Sequence, residues 1–334
     1  MSDPRTKAPR RRRGWLLMAL IACLSSSCQF LGLDMYPPEL QSASTSCDLP
    51  ALVYDKTGYT FSRVNQIRQL SSGSTCLLFV LCETDSGNVV MVLDPATLAY
   101  RTYKTGVSMP LGVVAAGYFL ASTQGYYPST GLWSSVSTVV PISDYSSLLV
   151  SAADASPNVL LKADSDTLSI LAADSVWPAT MPSMCYSVQV SPSSSGNWRI
   201  EDAAASSSRT RLLLRNNENG LTYYIDYAGS PYALCDDVGT NMTATGFLAN
   251  TTTAQKFTFY GEEDRCWLLD DCVVHVENNQ ESHITRLSLS DGIEIDSHLI
   301  DSNWKDSIYF EPTGERWYYY DTRVSKLCVL RTWW

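Results

Sequence analysis

The sequence predicts an all-β protein. Short runs of apolar and β-branched residues recur along the chain, and turn sequences such as Asp-Ser-Gly at 85–87 and Pro-Thr-Gly at 312–314 separate many of them. Many short, regularly punctuated strands are typical of β-sheet proteins. No segment shows a convincing amphipathic helical pattern. With 334 residues, of which 45% are hydrophobic and 17% charged, the chain is large and apolar enough to bury a core.

The predicted strands are runs of four to seven residues in which apolar or β-branched side chains dominate. They are Cys76–Cys82, Val89–Leu93, Leu148–Ser151, Val159–Lys162, Tyr186–Val190, Arg211–Arg215, Leu221–Asp226, Lys256–Tyr260, Cys272–Glu277, Ile284–Leu289, Ser307–Phe310 and Arg316–Asp321. The Ser- and Ala-rich stretch Ala203–Ser208 is predicted to be a solvent-exposed loop.

The first 22 residues have the pattern of an export signal. Four arginines at 10–13 precede the short apolar run 15–24. This run is too short to cross a bilayer, which takes about 20 apolar residues. The stretch 15–33 contains no charge, so a weak type II membrane anchor is the alternative. Residues 1–22 carry a net charge of +5, which leaves −15 on the remainder of a chain whose net charge is −10.

The end of this apolar run resembles the lipobox of bacterial lipoproteins. Leu20, Ile21 and Ala22 precede Cys23, which gives a leucine three residues before the cysteine and a small residue just before it. The resemblance implies a diacylglyceryl group on Cys23, with cleavage immediately before it. A looser match ends at Cys28, so Cys28 is the alternative attachment site. Residues 23–48 then read as a flexible tether.

A weak internal repeat narrows the architecture. The segment 92–98 (VLDPATL) is echoed at 162–168 (KADSDTL), and looser echoes lie at 54–58, 224–226 and 320–322. In each, a strand ends in Asp and a turn follows, which resembles the turns in blades of bacterial β-propellers, including quinoprotein-type ones. The resemblance implies that residues 49–334 form a single β-propeller of six or seven blades. A pair of β-sandwiches is the alternative.

Ten cysteines in an exported chain suggest disulfides, since the periplasm and cell surface tolerate them. Cys266 and Cys272 are predicted to flank a hairpin with Asp-Asp in its turn and are a candidate disulfide. Cys76 and Cys82 have the same spacing, but they lie about 20 Å apart on one strand and cannot pair. Buried free thiols are the alternative for all these cysteines.

Trp317, Tyr318, Tyr319 and Tyr320 alternate across one strand, so Trp317 and Tyr319 share a face. That face is a candidate binding surface for sugar rings or a peptide. Packing between blades is the alternative use of these aromatic residues.

No catalytic or cofactor motif stands out in the chain. There is no G-x-S-x-G sequence, no glycine-rich phosphate loop and no C-x₂-C pair, and His275, His283 and His298 lack metal-binding spacing. We therefore predict no metal and no cofactor. A pI near 4.8 argues against nucleic acid as a partner.

Together these patterns predict a noncatalytic binding or scaffolding protein of the bacterial cell envelope, lipid-anchored and facing the periplasm or the cell surface. Its expected partners are the membrane, through the lipid, and another envelope protein or a glycan. The alternative is an envelope enzyme that acts on glycans through carboxylates in a central funnel.

Overall fold

The computed structural model describes 16 segments of the chain. These are residues 45–72, 74–110, 112–114, 118–121, 124–135, 147–150, 158–164, 167–173, 183–189, 198–205, 208–216, 221–229, 255–258, 265–277, 283–300 and 307–332. They contain one helix, α1 (Leu49–Thr57), and 24 strands arranged in six antiparallel four-stranded sheets.

Five of these sheets, which we call blades, are each folded from four consecutive strands. Blade 1 consists of β2 (Phe61–Ser72), β3 (Thr75–Thr84), β4 (Gly87–Leu93) and β5 (Tyr100–Thr105). Blade 2 consists of β6 (Gly112–Val114), β7 (Tyr118–Ala121), β8 (Gln124–Tyr127) and β9 (Leu132–Ser135). Blade 3 consists of β10 (Ser147–Val150), β11 (Asn158–Asp164), β12 (Thr167–Ala173) and β13 (Ser183–Gln189).

The remaining two blades follow the same meander. Blade 4 consists of β14 (Trp198–Ala205), β15 (Thr210–Asn216), β16 (Leu221–Tyr227) and β17 (Gln255–Thr258). Blade 5 consists of β18 (Arg265–Leu268), β19 (Cys272–Val276), β20 (His283–Ser288) and β21 (Glu294–Leu299). All the predicted strands overlap strands of the structure, because each carries its own local pattern of apolar residues.

The sixth sheet, which we call the closing sheet, combines the two ends of the described chain. It consists of β22 (Ile308–Phe310), β23 (Arg316–Asp321), β24 (Lys326–Arg331) and, as its fourth strand, β1 (Thr45–Asp48). Cys47 lies opposite Leu327 in the antiparallel pairing of β1 with β24. This pairing joins the two ends of the described chain within one sheet.

The predicted count of six or seven blades within residues 49–334 is wrong. Five blades are built from contiguous sequence, and the remaining sheet is shared between the two ends of the chain. The count failed because it divided the body by one repeat length, whereas β1 lies before residue 49, inside the predicted tether. The described sheets do not form a pair of sandwiches either.

The sheets are arranged as a β-propeller. The first strands of neighbouring sheets adjoin: β2 contacts β6 and β22, β10 contacts β6 and β14, and β14 contacts β18. Separate apolar clusters join blade 1 to the closing sheet, blade 1 to blade 2, blade 4 to blade 5, and blade 5 to the closing sheet. In β3, Val80 faces the closing sheet while Phe79 faces blade 2, so both faces of the strand are buried.

The aromatic run of β23 alternates as the sequence predicts, but neither face is a binding surface. Trp317 and Tyr319 pack against blade 5, and Tyr318 and Tyr320 pack against blade 1. The exposed fraction is at most 5% for all four side chains. The candidate binding face of Trp317 and Tyr319 is therefore corrected to an interface between sheets.

Helix α1 is an element that sequence reasoning missed. It is only nine residues long and buries two side chains, Leu49 and Val53, so it has no extended apolar stripe. The Asp48 carboxylate accepts the Ala51 N–H at 2.9 Å at its start, and Gly58 ends it with a φ of 74°. Among the described residues no helix is long and apolar enough to cross a membrane.

The predicted repeat of an aspartate at the end of a strand, followed by a turn, is present at some of its positions and absent at others. Asp94 accepts the N–H groups of Ala96 and Thr97 at 3.1 and 3.0 Å, so it caps the turn that follows its strand. Asp321 accepts the Arg323 N–H at 2.9 Å in a similar turn. The echo at 54–58 is instead the end of α1, and Asp226 lies inside β16.

The candidate disulfide is also corrected. The predicted hairpin exists, with the Leu269 N–H donating to the Cys272 carbonyl at 2.9 Å. Cys266, however, lies opposite His275 and packs toward blade 4, whereas Cys272 packs toward the closing sheet. The two thiols face opposite sides of one sheet and cannot pair. All the cysteines whose side chains the structure describes are free: Cys47, Cys76, Cys82, Cys266, Cys272 and Cys328.

The burial of Trp317 predicts a stability effect that a binding face would not show. Trp317→Ala should lower the free energy of unfolding by about 3–5 kcal/mol, because it leaves a large cavity between blade 5 and the closing sheet. Tyr54→Ala, which removes a side chain that is 65% exposed, should change it by no more than about 0.5 kcal/mol. Urea unfolding measures both values, and a Trp317→Ala protein as stable as the wild type would contradict the packing described here.

Candidate functional site

The inner strands of the ring surround a cavity of about 310 Å³. It is lined by residues of β2, β14, β18 and β22, the first strands of blade 1, blade 4, blade 5 and the closing sheet. The described residues that line it are Gln66, Ile67, Arg68, Glu201, Asp202, Arg265, Cys266, Trp267, Ile308 and Tyr309. A concave site of mixed apolar and polar lining at the centre of a fold is where ligands commonly bind.

Side chains satisfy backbone groups along the inner strands. A first strand pairs with a neighbour on one side only, so its other edge carries backbone groups outside the ladder. The Asp202 carboxylate accepts the N–H of Leu268 in β18 at 2.8 Å. Across another junction, the Tyr309 hydroxyl donates to the Gln69 carbonyl of β2 at 3.2 Å. Arg68 donates to the Pro110 carbonyl at 3.2 Å.

A β-bulge brings two consecutive carboxylates to the cavity. Ile200 lies opposite Leu214, but Asp202 lies opposite Leu213, so Glu201 is the extra residue of β14. In a regular strand consecutive side chains point to opposite faces, and a bulge breaks that alternation. Glu201 and Asp202 accordingly both line the cavity.

Both carboxylates already have partners. Glu201 lies 3.8 Å from the Arg215 guanidinium, and the two side chains are 7% and 1% exposed. Asp202 accepts its second backbone hydrogen bond from the Ala203 N–H at 2.9 Å. Such pairing is what buried charges require, since an unpaired buried charge is very costly.

Burial sets the electrostatics of the cavity. Desolvation raises the pKa of Asp202 to about 6, against the opposing effects of its two backbone donors and the Arg68 charge. Desolvation also lowers the pKa of Arg68 and raises the pKa of Tyr309, for which the Asp202 charge adds to the shift. These mutual electrostatic effects show that Arg68, Asp202 and Tyr309 are neighbours inside the ring.

The structure does not bring the predicted site residues together. Cys23 and Cys28 lie outside the described residues. Cys272, Trp317 and Tyr319 belong to the core between blade 5 and the closing sheet, and only Cys266 lines the cavity. The described residues contain no group of three His, Cys, Asp or Glu side chains that could hold a metal ion.

Sequence reasoning missed the cavity carboxylates. Ala203–Ser208 was predicted to be a loop, yet 203–205 continue the inner strand β14. The sequence feature that could have indicated them is the pair Glu201-Asp202, which lies between Trp198-Arg-Ile and a run of alanines. Two acidic residues inside an apolar run indicate a bulge or a buried pair.

Comparisons with known proteins support no family assignment. No protein-family model matches the sequence, and neither does any curated protein. Among solved structures, the β-propeller domain of Cps50 (Swd1) from Myceliophteria thermophila is similar at 10% identity and a TM-score of 0.47, over 82% of this chain and 98% of that domain. BamB from Moraxella catarrhalis is similar at 10% identity and a TM-score of 0.39, over 80% and 85% of the two chains. At these scores the propeller assignment rests on the sheet order and packing of this chain.

The raised pKa of Asp202 predicts a pH dependence of stability. Because its pKa is about 6 in the folded chain and near 3.8 in an unfolded one, the native state favours the protonated form. Its contribution to stability is present below about pH 4 and is lost as the pH rises through about 6. The loss should be about 3 kcal/mol, because each unit of pKa difference between the folded and unfolded chain corresponds to about 1.4 kcal/mol.

Asp202→Asn cannot titrate and should lack this loss. Urea unfolding between about pH 4 and pH 7 should show the wild type losing stability relative to the variant as the pH rises. Glu83→Gln, which removes a carboxylate of β3 outside the cavity, is the matched control and should leave the pH profile unchanged. Parallel profiles for wild type and Asp202→Asn would refute the assignment.

Proposed function

We propose that this chain is a noncatalytic binding or scaffolding protein of the bacterial cell envelope, anchored by lipid on Cys23 or, alternatively, Cys28. The observation that carries the noncatalytic part is the state of the cavity carboxylates. Asp202 accepts two backbone hydrogen bonds and Glu201 faces Arg215, so each is occupied in holding neighbouring elements together. A propeller built in this way acts as a rigid support whose outer surface is free to bind.

A glycan hydrolase is the less favoured alternative. Such an enzyme needs one carboxyl group to give up a proton to the leaving oxygen and another to act as base or nucleophile. Asp202 has a suitably raised pKa of about 6, but both of its oxygens accept backbone hydrogen bonds in the ring. Using it as an acid would break the contact between β14 and β18.

The outer edge of blade 5 supports a protein partner. Ile295 lies on β21, the last strand of that blade, and Ile293 lies immediately before it. Their exposed fractions are 50% and 64%, which makes them two of the few large apolar side chains exposed in the described chain. A free strand edge with neighbouring apolar side chains suits a partner that adds its own strand or packs against it.

Site-specific cross-linking in intact cells tests the scaffolding proposal. A photo-reactive residue at Ile295 should form a discrete adduct with an envelope protein, because a partner at this edge places it within reach. The same residue at Asn88, exposed at the start of β4 in blade 1, serves as the control and should form none. A chain that is recovered only as an uncross-linked monomer from both positions would contradict the proposal.

The anchor is tested separately by labelling cells with a fatty-acid analogue. The wild type should be labelled, and Cys23→Ala should lose the label because the acylated thiol is gone. If Cys28 is the attachment site, Cys28→Ala loses it instead. Cys47→Ala, which removes a cysteine of the closing sheet, is the control and should stay labelled. Labelling that persists in the double variant Cys23→Ala/Cys28→Ala would exclude the anchor.

A further inference from the structure

Among the described residues of the cavity, Arg265 is a cationic side chain without an ion-pair partner. It is the first residue of β18, it is half-buried, and it lines the cavity. Within the part of the chain that the structure describes, its guanidinium takes part in no hydrogen bond or ion pair. The other arginines here are engaged: Arg68 donates to the Pro110 carbonyl, and Arg215 faces Glu201.

Among the residues that the structure describes, the charged side chains at the inner ring leave an excess of one positive charge. Three guanidinium groups, those of Arg68, Arg215 and Arg265, lie at the cavity wall or directly behind it, against the two carboxylates of Glu201 and Asp202. The protein as a whole carries −10, so this is a local reversal of its sign. In a partly enclosed recess, one uncompensated charge attracts an anion more strongly than the same charge on an open surface.

We propose that this cavity binds the carboxylate group of a small ligand, with Arg265 as the anchoring residue. A guanidinium presents parallel N–H donors that match the two oxygens of a carboxylate. Gln66 lines the same cavity and offers an amide donor, while Trp267 and Ile308 provide apolar wall for the body of the ligand. A monoanion neutralises the excess positive charge. A phosphate dianion would leave a net negative charge beside Glu201 and Asp202.

The size of the cavity limits the ligand. At about 310 Å³ it lies at the lower end of the range of small-molecule sites. It accommodates a short organic acid or the last residues of a peptide with a free carboxyl terminus, two sources of the same chemical group. This proposal goes beyond the scaffolding function, and it holds whether or not the chain is anchored or bound to a partner.

Calorimetric titration of the purified full chain in detergent tests the proposal. The probes are hexanoate and hexanamide, together with acetyl-Ala-Leu bearing either a free or an amidated carboxyl terminus. We expect the acid of at least one pair to bind about tenfold to a hundredfold more tightly than its amide, the range for a hydrogen bond to a charged group. If the acid is preferred over its amide in the hexanoate pair, the ligand is a free organic acid. If the acid is preferred in the peptide pair, the ligand is a chain terminus. Equal affinity within both pairs, or no binding of either acid at millimolar concentration, overturns the proposal.

Substitutions locate the binding at Arg265. Arg265→Gln should lose the preference for acid over amide, and Arg265→Lys should keep part of it because the charge remains. Arg63→Gln removes an arginine of β2 that is 71% exposed and pairs with Glu83, and it should bind like the wild type. Thermal unfolding of each variant shows whether it is folded before titration. An Arg265→Gln protein that is folded and keeps the full acid preference would overturn the assignment. If Arg265→Gln does not fold, Arg265→Lys is titrated instead, and a folded Arg265→Lys protein that keeps the full preference would overturn it.

Discussion

The antiparallel pairing of β1 with β24 is the contact on which the rest of the ring depends. Blade 1 and blade 5 each bury one face against the closing sheet. Since β1 is the fourth strand of that sheet, it covers the edge of β24 and holds the two ends of the ring together. The paired strands are about 280 residues apart in sequence, so this contact closes a very long loop. Long-range pairing of this kind forms late and slowly in folding.

At the centre of the closed ring, backbone groups on the edges of the first strands lie outside the β-ladders, and side chains bond to some of them. Each first strand has a free edge, and among the described strands the ladder of hydrogen bonds does not continue from one sheet into the next. Asp202 and Tyr309 bridge two of these junctions by bonding directly to backbone groups of the next sheet. Charged and phenolic groups are therefore buried for a structural reason, and the raised pKa of Asp202 follows from that burial. A perturbed pKa here is a consequence of ring geometry before it is a sign of catalysis.

The extent to which the sequence predicts the fold follows from the range of each interaction. The strands were predictable because alternation and turn chemistry are local, and the run 77–82 is continuous because β3 buries both faces. The number of blades was not predictable, because the aspartates that mark the repeat occupy different positions within their sheets. Asp94 follows the third strand of its blade, while Asp321 ends the middle one of the three consecutive strands in the closing sheet. The pairing that completes that sheet joins residues whose local sequences contain no sign of each other.

The site was less predictable than the fold, because it is assembled from four strands distant in sequence. Gln66 and Tyr309 are separated by most of the chain, and no local pattern marks either as an inner residue. The bulge at Glu201 depends on pairing with β15, which composition does not reveal.

The strongly acidic composition does not oppose an anionic ligand, because the net charge of the protein and the charges of the cavity act over different distances. Exposed charges are screened beyond about 8 Å at physiological ionic strength. Carboxylates on the outer faces of the blades therefore contribute little to the potential at the centre of the ring. Among the described residues, the charged side chains that an entering anion meets are Arg68, Arg265, Glu201 and Asp202. Within that set, protonation of Asp202 removes the carboxylate charge with a pKa of about 6. The affinity of the cavity for a monoanion is thus set by the ring interior, independently of the net charge of the protein.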